Sequence, residues 1–370
     1  MIANIVGIGE RDAVVAGADI HISGSRVAPP KEEVMSRHRS IRHVAALAAA
    51  GLAIVSLAAC SGGGTQSGTA AGTESGSGST SSSGDLVKVG YSQLGAESGW
   101  RTANTESVKA SLTKANGIDL TFVDAQQKQE NQIKALRDFI TQGVDVIAFS
   151  PVIETGWDEV LQEIKDAGIP VILVDRSVKT TVKDAYVTHI GSDMASEGKA
   201  AGEWVKANYP DAKIFELQGT MGSGPQIDRE AAFDQVVGAD HVIGKASGNF
   251  TRAEGKTAME AALQAYPDMN LVFSHNDDMG LGAIEAIEAA GKKPGTDIKI
   301  VTIDGVKDGL QALVDKKFNY VVECNPIFGD QLAELVKKVA KGEKVPAQTV
   351  VQDKRFDQTI TQAEVDARPY

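Results

Sequence analysis

Four polar groups stand at or just past the ends of short apolar runs: Asp175 with Arg176 after VILV, Asn276 after LVFS, and Asp304 after IVTI. Glu323 and Asn325 close YVVECNP in the same way. Near the start of this region, GYSQLGAESGWR sets Trp100 between Gly99 and Arg101, with Glu97 close behind. Carboxylates and amides accept and donate to neighbouring hydroxyls, and guanidinium forks supply rigid donors. An indole face packs on the C–H face of a sugar ring. This set is therefore the equipment for a polyhydroxylated ligand. Asp175 and Asp304 could instead be the two carboxylates of a glycoside hydrolase. An arginine beside each acid would hold it ionised rather than raise its pKa, which favours binding over general acid work.

Other chemistry finds less support. His275 has no second histidine at metal spacing, so a structural role is expected. GTMGSG, residues 219–224, departs from the G-x-G-x-x-G order of a nucleotide loop. There is no D-x-D-x-D run, and neither a metal nor a cofactor is expected. Trp157 in TGW is expected to pack.

The elements that must carry these residues alternate. LVKVGYS, LTFVD, VDVIAFSP, VILVDRS, KIFELQG, LVFSHND, IKIVTIDG and YVVECNP read as strands. Between them lie helical patterns over Arg101 to Asn116, Gln129 to Gln142, a stretch through Ile164, Arg229 to Val237, and a stretch through Ile287. Alternation of this kind implies parallel sheets covered by helices on both faces. The units suffice for two doubly wound α/β lobes facing across a cleft. Ligands in such sheets bind outside the carboxyl ends of the strands, where the polar groups collect.

The chain has 370 residues, 42% hydrophobic and 23% charged, with a net charge of −12. That balance argues against a nucleic-acid partner. The two cysteines, Cys60 and Cys324, give neither a disulfide framework nor metal spacing. From Met35, arginines at 37, 39 and 42 precede an apolar run ending Leu57-Ala58-Ala59-Cys60. This reads as a secretory signal over 35–59 closing on a lipobox, with Cys60 lipidated. Residues 60–84 form a Gly/Ser/Thr tether. Residues 1–34 resemble neither signal nor domain, so Met1 is expected to be a mis-assigned start or the segment disordered. The expected setting is extracytoplasmic, anchored by lipid to the outer face of the cytoplasmic membrane.

GYSQLGAESGWR, DAQQKQENQIKALRDFITQGVD, PVIETGW, VDRS, ELQGTMGSGPQIDR, GNFTRAEGK, HNDDMGLGAIEAI and TIDG together resemble the periplasmic sugar-binding proteins of ABC importers. The resemblance lies with the ribose-binding-protein-like group and is closest to its galactofuranose-binding branch. It implies a two-lobe hinge fold, with residues 86–191 plus 326–354 in one lobe and 192–325 plus 355–370 in the other. It further implies ligand contacts from Glu97, Trp100, Arg101, Asp175, Arg176, Arg229, Phe250, Asn276 and Asp304. Cys324 in ECNP stands where ribose binders often carry glutamine, which leaves Glu323 and Asn325 without a role. Trp-Arg replaces the paired phenylalanines common in ribose binders. The implied activity is binding of a monosaccharide, galactofuranose or a similar furanose or pentose, by a monomer that closes on it and delivers it to a membrane permease. Presentation to a membrane signalling receptor is a compatible alternative. Lactose-repressor-type regulators share the two-lobe core, but they carry a DNA-binding helix-turn-helix where this chain has a signal and tether.

Overall fold

A computed structural model describes residues 86–370. The expectations on Met1, the signal segment, Cys60 and the tether lie outside the described residues.

The first lobe is built from β1 (Val87–Gln93), α1 (Gly99–Ser111), β2 (Ile118–Asp124), α2 (Gln129–Gln142), β3 (Val146–Phe149), α3 (Asp158–Asp166), β4 (Val171–Val174) and β5 (Thr188–Gly191). The second follows as α4 (Met194–Asn208), β6 (Ile214–Gln218), α5 (Gly224–Val237), β7 (Val242–Ser247), α6 (Arg252–Ala265), β8 (Leu271–Ser274), α7 (Asp277–Ala289), β9 (Lys299–Asp304), α8 (Lys307–Val314) and β10 (Tyr320–Glu323). The chain then returns through α9 (Gly329–Ala340) and β11 (Gln348–Val350), which pairs with β5. It crosses back through β12 (Arg355–Asp357), antiparallel to β10, and ends with α10 (Gln362–Asp366).

The two sheets have the same order, β11-β5-β4-β3-β1-β2 and β12-β10-β9-β8-β6-β7. Both reverse direction in space beside their first strand, β1 in one and β6 in the other, and both open a crevice at that switch point. Every residue of β3, β4 and β8 is buried, as helices on both faces require. Trp157 is fully buried against Phe149, with ring centroids 5.2 Å apart.

Two helices begin earlier than their sequence patterns indicate. The Ser98 hydroxyl accepts from the Arg101 N–H at 3.1 Å and caps α1, so Gly99 is helical and Trp100 and Arg101 ride its first turn. The helix ends at Ser111, and a separate 3₁₀ turn covers Lys114–Asn116. Pro225 in the first turn of α5 starts that helix at Gly224 rather than near Arg229. Strands β5, β7, β11 and β12 escaped the sequence pattern. β7, β11 and β12 are half-exposed edge strands without sustained alternation, and β5, set between β4 and β11, is only four residues long.

Three segments cross between the lobes, after β5, after β10 and after β11. One carboxylate joins them: Asp353 accepts from the Ser192 hydroxyl at 3.0 Å and from the Asn325 N–H at 2.8 Å. Glu323 accepts from the Lys354 N–H at 2.7 Å and the Tyr370 hydroxyl at 2.8 Å, and pairs with Arg368 at 2.6 Å. Glu323 and Asn325 are thus hinge residues. Among the described residues, no helix is long and apolar enough to cross a membrane.

Candidate ligand site between the lobes

A cavity lies between the two switch points. Its lining comprises Glu97, Ser98, Trp100, Arg101, Asp175 and Arg176 from the first lobe. Met194, Pro225, Arg229, Phe250, Asn276 and Asp304 come from the second, and Cys324 from a crossover. All the residues expected at a ligand face this space, and none is more than 8% exposed.

Arg101 is held on three sides. Its Nη2 meets Asp175 at 2.5 Å, its Nε meets Glu97 at 3.1 Å and its Nη1 reaches the Ser150 hydroxyl at 3.4 Å. Arg176 donates to the Val152 carbonyl at 3.1 Å and to Glu97 at 3.4 Å, and its guanidinium lies 5.1 Å over the Phe250 ring. Its Nε has no hydrogen-bond partner among the described residues, and neither has Glu97 Oε2. Across the cavity, Arg229 donates to Glu197 at 2.8 Å and to the His275 carbonyl at 2.7 Å. Asp304 lies 4.0 Å from it. The Trp100 indole N–H donates to the Cys324 carbonyl, which fixes the ring's plane from the hinge.

Backbone geometry is spent on this placement. Asp175, Phe250 and Asp304 hold φ values of 62°, 63° and 125°, where side chains other than glycine are strained. Phe250 lies so close to Gly219 that a Cβ there would stand 1.9 Å from its ring. Asn276 is partly occupied in support: its Oδ1 caps α7 at Met279, and its amide donates to the Phe250 carbonyl at 3.1 Å.

The two aspartates are pushed in opposite directions. Burial pushes Asp175 up, but Arg101 and Arg176 outweigh it and hold the carboxyl below its ordinary range. Burial pushes Asp304 well above its ordinary range, and Asp277 and Asp278 add to that. The expectation that an arginine keeps each acid ionised is therefore corrected for Asp304. Arg229 is engaged by Glu197 at close range and faces Asp304 only at 4.0 Å, too far to offset burial. Arg176 is lowered to about 10 by burial and by Arg101. The cavity thus offers an ionised acceptor and a guanidinium on one wall, and an acid pushed towards its neutral form and a guanidinium on the other. That combination suits a neutral ligand with hydroxyls pointing both ways.

Ser98, Met194, Pro225, Cys324 and the counter-ion Glu197 are additions to the sequence-derived site. Met194 and Glu197 follow β5, a strand the sequence pattern did not reveal. Cys324 shows the strand-end position that marked its neighbours, but burial drives its thiol pKa well up and hides any polar character. His275 is structural: buried, it donates from Nε2 to Glu216 at 2.7 Å while Nδ1 faces the Gly219 N–H. Among the described residues Glu216, Glu230 and Asp234 converge as a metal site would. The Lys245 ammonium already lies 2.6–2.8 Å from all three.

Residues 89–344 match the family profile described as a periplasmic binding protein domain. The galactofuranose-binding protein YtfQ of Escherichia coli is 44% identical over 268 residues, covering 70% of this chain and 84% of that protein. A Mycobacterium smegmatis structure in complex with β-D-fucofuranose is 54% identical with a TM-score of 0.72, covering 76% of this chain and 93% of that one. The arabinose-transporter binding protein of Shewanella sp. ANA-3, bound to α- and β-L-arabinofuranose, is 46% identical with a TM-score of 0.72, covering 76% and 95%.

Proposed function

The chain belongs to the periplasmic binding protein family, and on that premise we propose that it is the sugar-binding component of an ABC importer, taking a monosaccharide in its furanose form. Its relatives are solute-binding proteins for sugar transport, not enzymes, and they work outside the cytoplasm. The furanose is galactofuranose or a ring of the same size and polarity. The observation that carries this reading is the convergence of Trp100, Asp175, Arg229 and Asp304, distant in sequence, on one buried cavity.

Glu97, Trp100, Arg101, Asp175 and Arg176 hold one face of the sugar, and Arg229, Phe250, Asn276 and Asp304 hold the other. Because the sugar bridges both lobes, binding free energy favours the closed population, which then docks on the permease. A lipid at Cys60 and the tether over 60–84 keep the monomer near that permease.

Calorimetry against galactose, fucose, arabinose, ribose and fructose tests the reading. For sugars that interconvert between ring forms, the apparent dissociation constant is the intrinsic one divided by the fraction of competent ring. A galactofuranose-bearing preparation is expected to bind tightest, and carbon-13 spectra of a bound labelled sugar should show the furanose anomeric carbon. A pyranose signal, or no binding across the panel, would overturn the proposal.

A further inference from the structure

Asn276, Asp277 and Asp278 are consecutive but do three different jobs. Asn276 lines the cavity. Asp277 turns inward and accepts from the Gly305 and Val306 N–H groups, both at 2.8 Å, bracing the strand end that carries Asp304. Asp278 reaches out of its own lobe, and its Oδ2 accepts from the Gly99 N–H at 2.8 Å.

Gly99 is the first residue of α1 in the other lobe, and Asp278 lies in the first turn of α7. A helix N-terminus carries unsatisfied N–H groups and the positive end of the peptide dipole. With the lobes together, one carboxylate therefore serves two helix N-termini, its own and that of the opposite lobe. Separation of the lobes removes the second. Asp278 does not line the sugar cavity, so this attraction acts without touching ligand. A second direct bridge, from the Glu154 N–H to the Gly222 carbonyl at 2.9 Å, joins the lobes on another stretch of rim but carries no charge.

We propose that Asp278 is a closing latch: a positioning residue that biases the lobes towards closure through the α1 N-terminus and so slows release of bound sugar. The proposal rests on the sugar-binding reading for its kinetic consequence, but not for its conformational one. Any contact made only in the closed form raises the closed population and is felt in the dissociation rate rather than in encounter.

The test compares wild type with Asp278→Ala, Asp278→Asn, Gly99→Pro and Gly99→Ala. Proline fits the first helical position, removes the donor and sets its ring Cδ where the hydrogen lay, so Asp278 must turn away; Ser98 before it is already extended, at φ −147° and ψ 164°. Alanine keeps the N–H and meets Asp278 at an ordinary 3.5 Å. Stopped-flow Trp fluorescence with the best-bound sugar of the panel should show dissociation about 3- to 10-fold faster in Asp278→Ala and Gly99→Pro, as expected for a charge at a helix end. Association should stay within about twofold. Gly99→Ala should match wild type, Asp278→Asn should fall between, and the Asp278→Ala/Gly99→Pro double variant should be far from additive. Small-angle scattering of the sugar-free proteins should show a larger radius of gyration in Asp278→Ala than in wild type. If wild type binds no sugar, the functional reading fails while scattering still judges the latch. Equal dissociation rates, or equal radii where no sugar binds, would overturn the latch.

Discussion

At the residue scale, the unequal protonation of two aspartates makes the sharpest prediction. Burial pushes Asp304 towards its neutral form, and Asp304→Asn is a neutral amide of the same shape. Its affinity should fall about tenfold or less, while Asp304→Ala removes both donor and acceptor and should abolish detectable binding. Asp175 is ionised and lies 2.5 Å from Arg101, so Asp175→Asn leaves a buried guanidinium short of an anion. That variant should lose about 100-fold or more in affinity and melt several degrees lower. Calorimetry and thermal melts check both, and equal effects of the two Asn variants would contradict the charge states. Much of this site was legible because buried charge is costly, so polar groups are kept to strand ends. Which group bonds which was not legible. The pairing of Arg229 with Glu197, and the distance it leaves to Asp304, depend on α4 lying against α5, where a Cβ on Gly198 would stand 2.3 Å from the Arg229 carbonyl.

At the element scale, the hinge turns on Asp353. Burial raises its carboxyl to about 7, with Glu197 adding to the effect, although Asn325 and Ser192 donate to it. A carboxyl whose folded pKa exceeds its unfolded value binds more protons folded than unfolded. Stability is therefore greatest below the unfolded value and falls as pH rises from about 4 towards 7. Asp353→Asn keeps the Oδ1 acceptor for both donors and removes the titration. Its melting temperature relative to wild type should therefore rise between pH 5 and pH 8. A gap that stays constant with pH would contradict this account. Most of the apolar strands and five of the helices were readable from periodicity; α2 matches its pattern end to end, closed by Gly143 at φ 62°, whereas α4, α6, α8 and α9 were not read. Neither were the edge strands other than β2. β11 and β12 are three residues each and half-exposed, and their pairing is fixed by crossovers far away in sequence.

At the scale of the whole molecule, two sheets of one topology set their switch points face to face, and neither lobe alone holds a complete site. Trp100 shows the dependence most plainly, since it rides a helix of the first lobe and donates to Cys324 on a crossover. A cavity so divided can grip a ligand only when the lobes meet, which couples binding to closure. The repeated β–α alternation announced this architecture, whereas the contacts across the cleft depend on how far the hinge closes. The most direct test is a crystal structure of the protein grown with the tightest-binding sugar of the panel. A single furanose ring should lie between Trp100 and Phe250, with hydroxyls on Asp175 and Arg176 from one lobe and on Arg229 and Asp304 from the other. A pyranose there, or a sugar held by one lobe alone, would contradict the account.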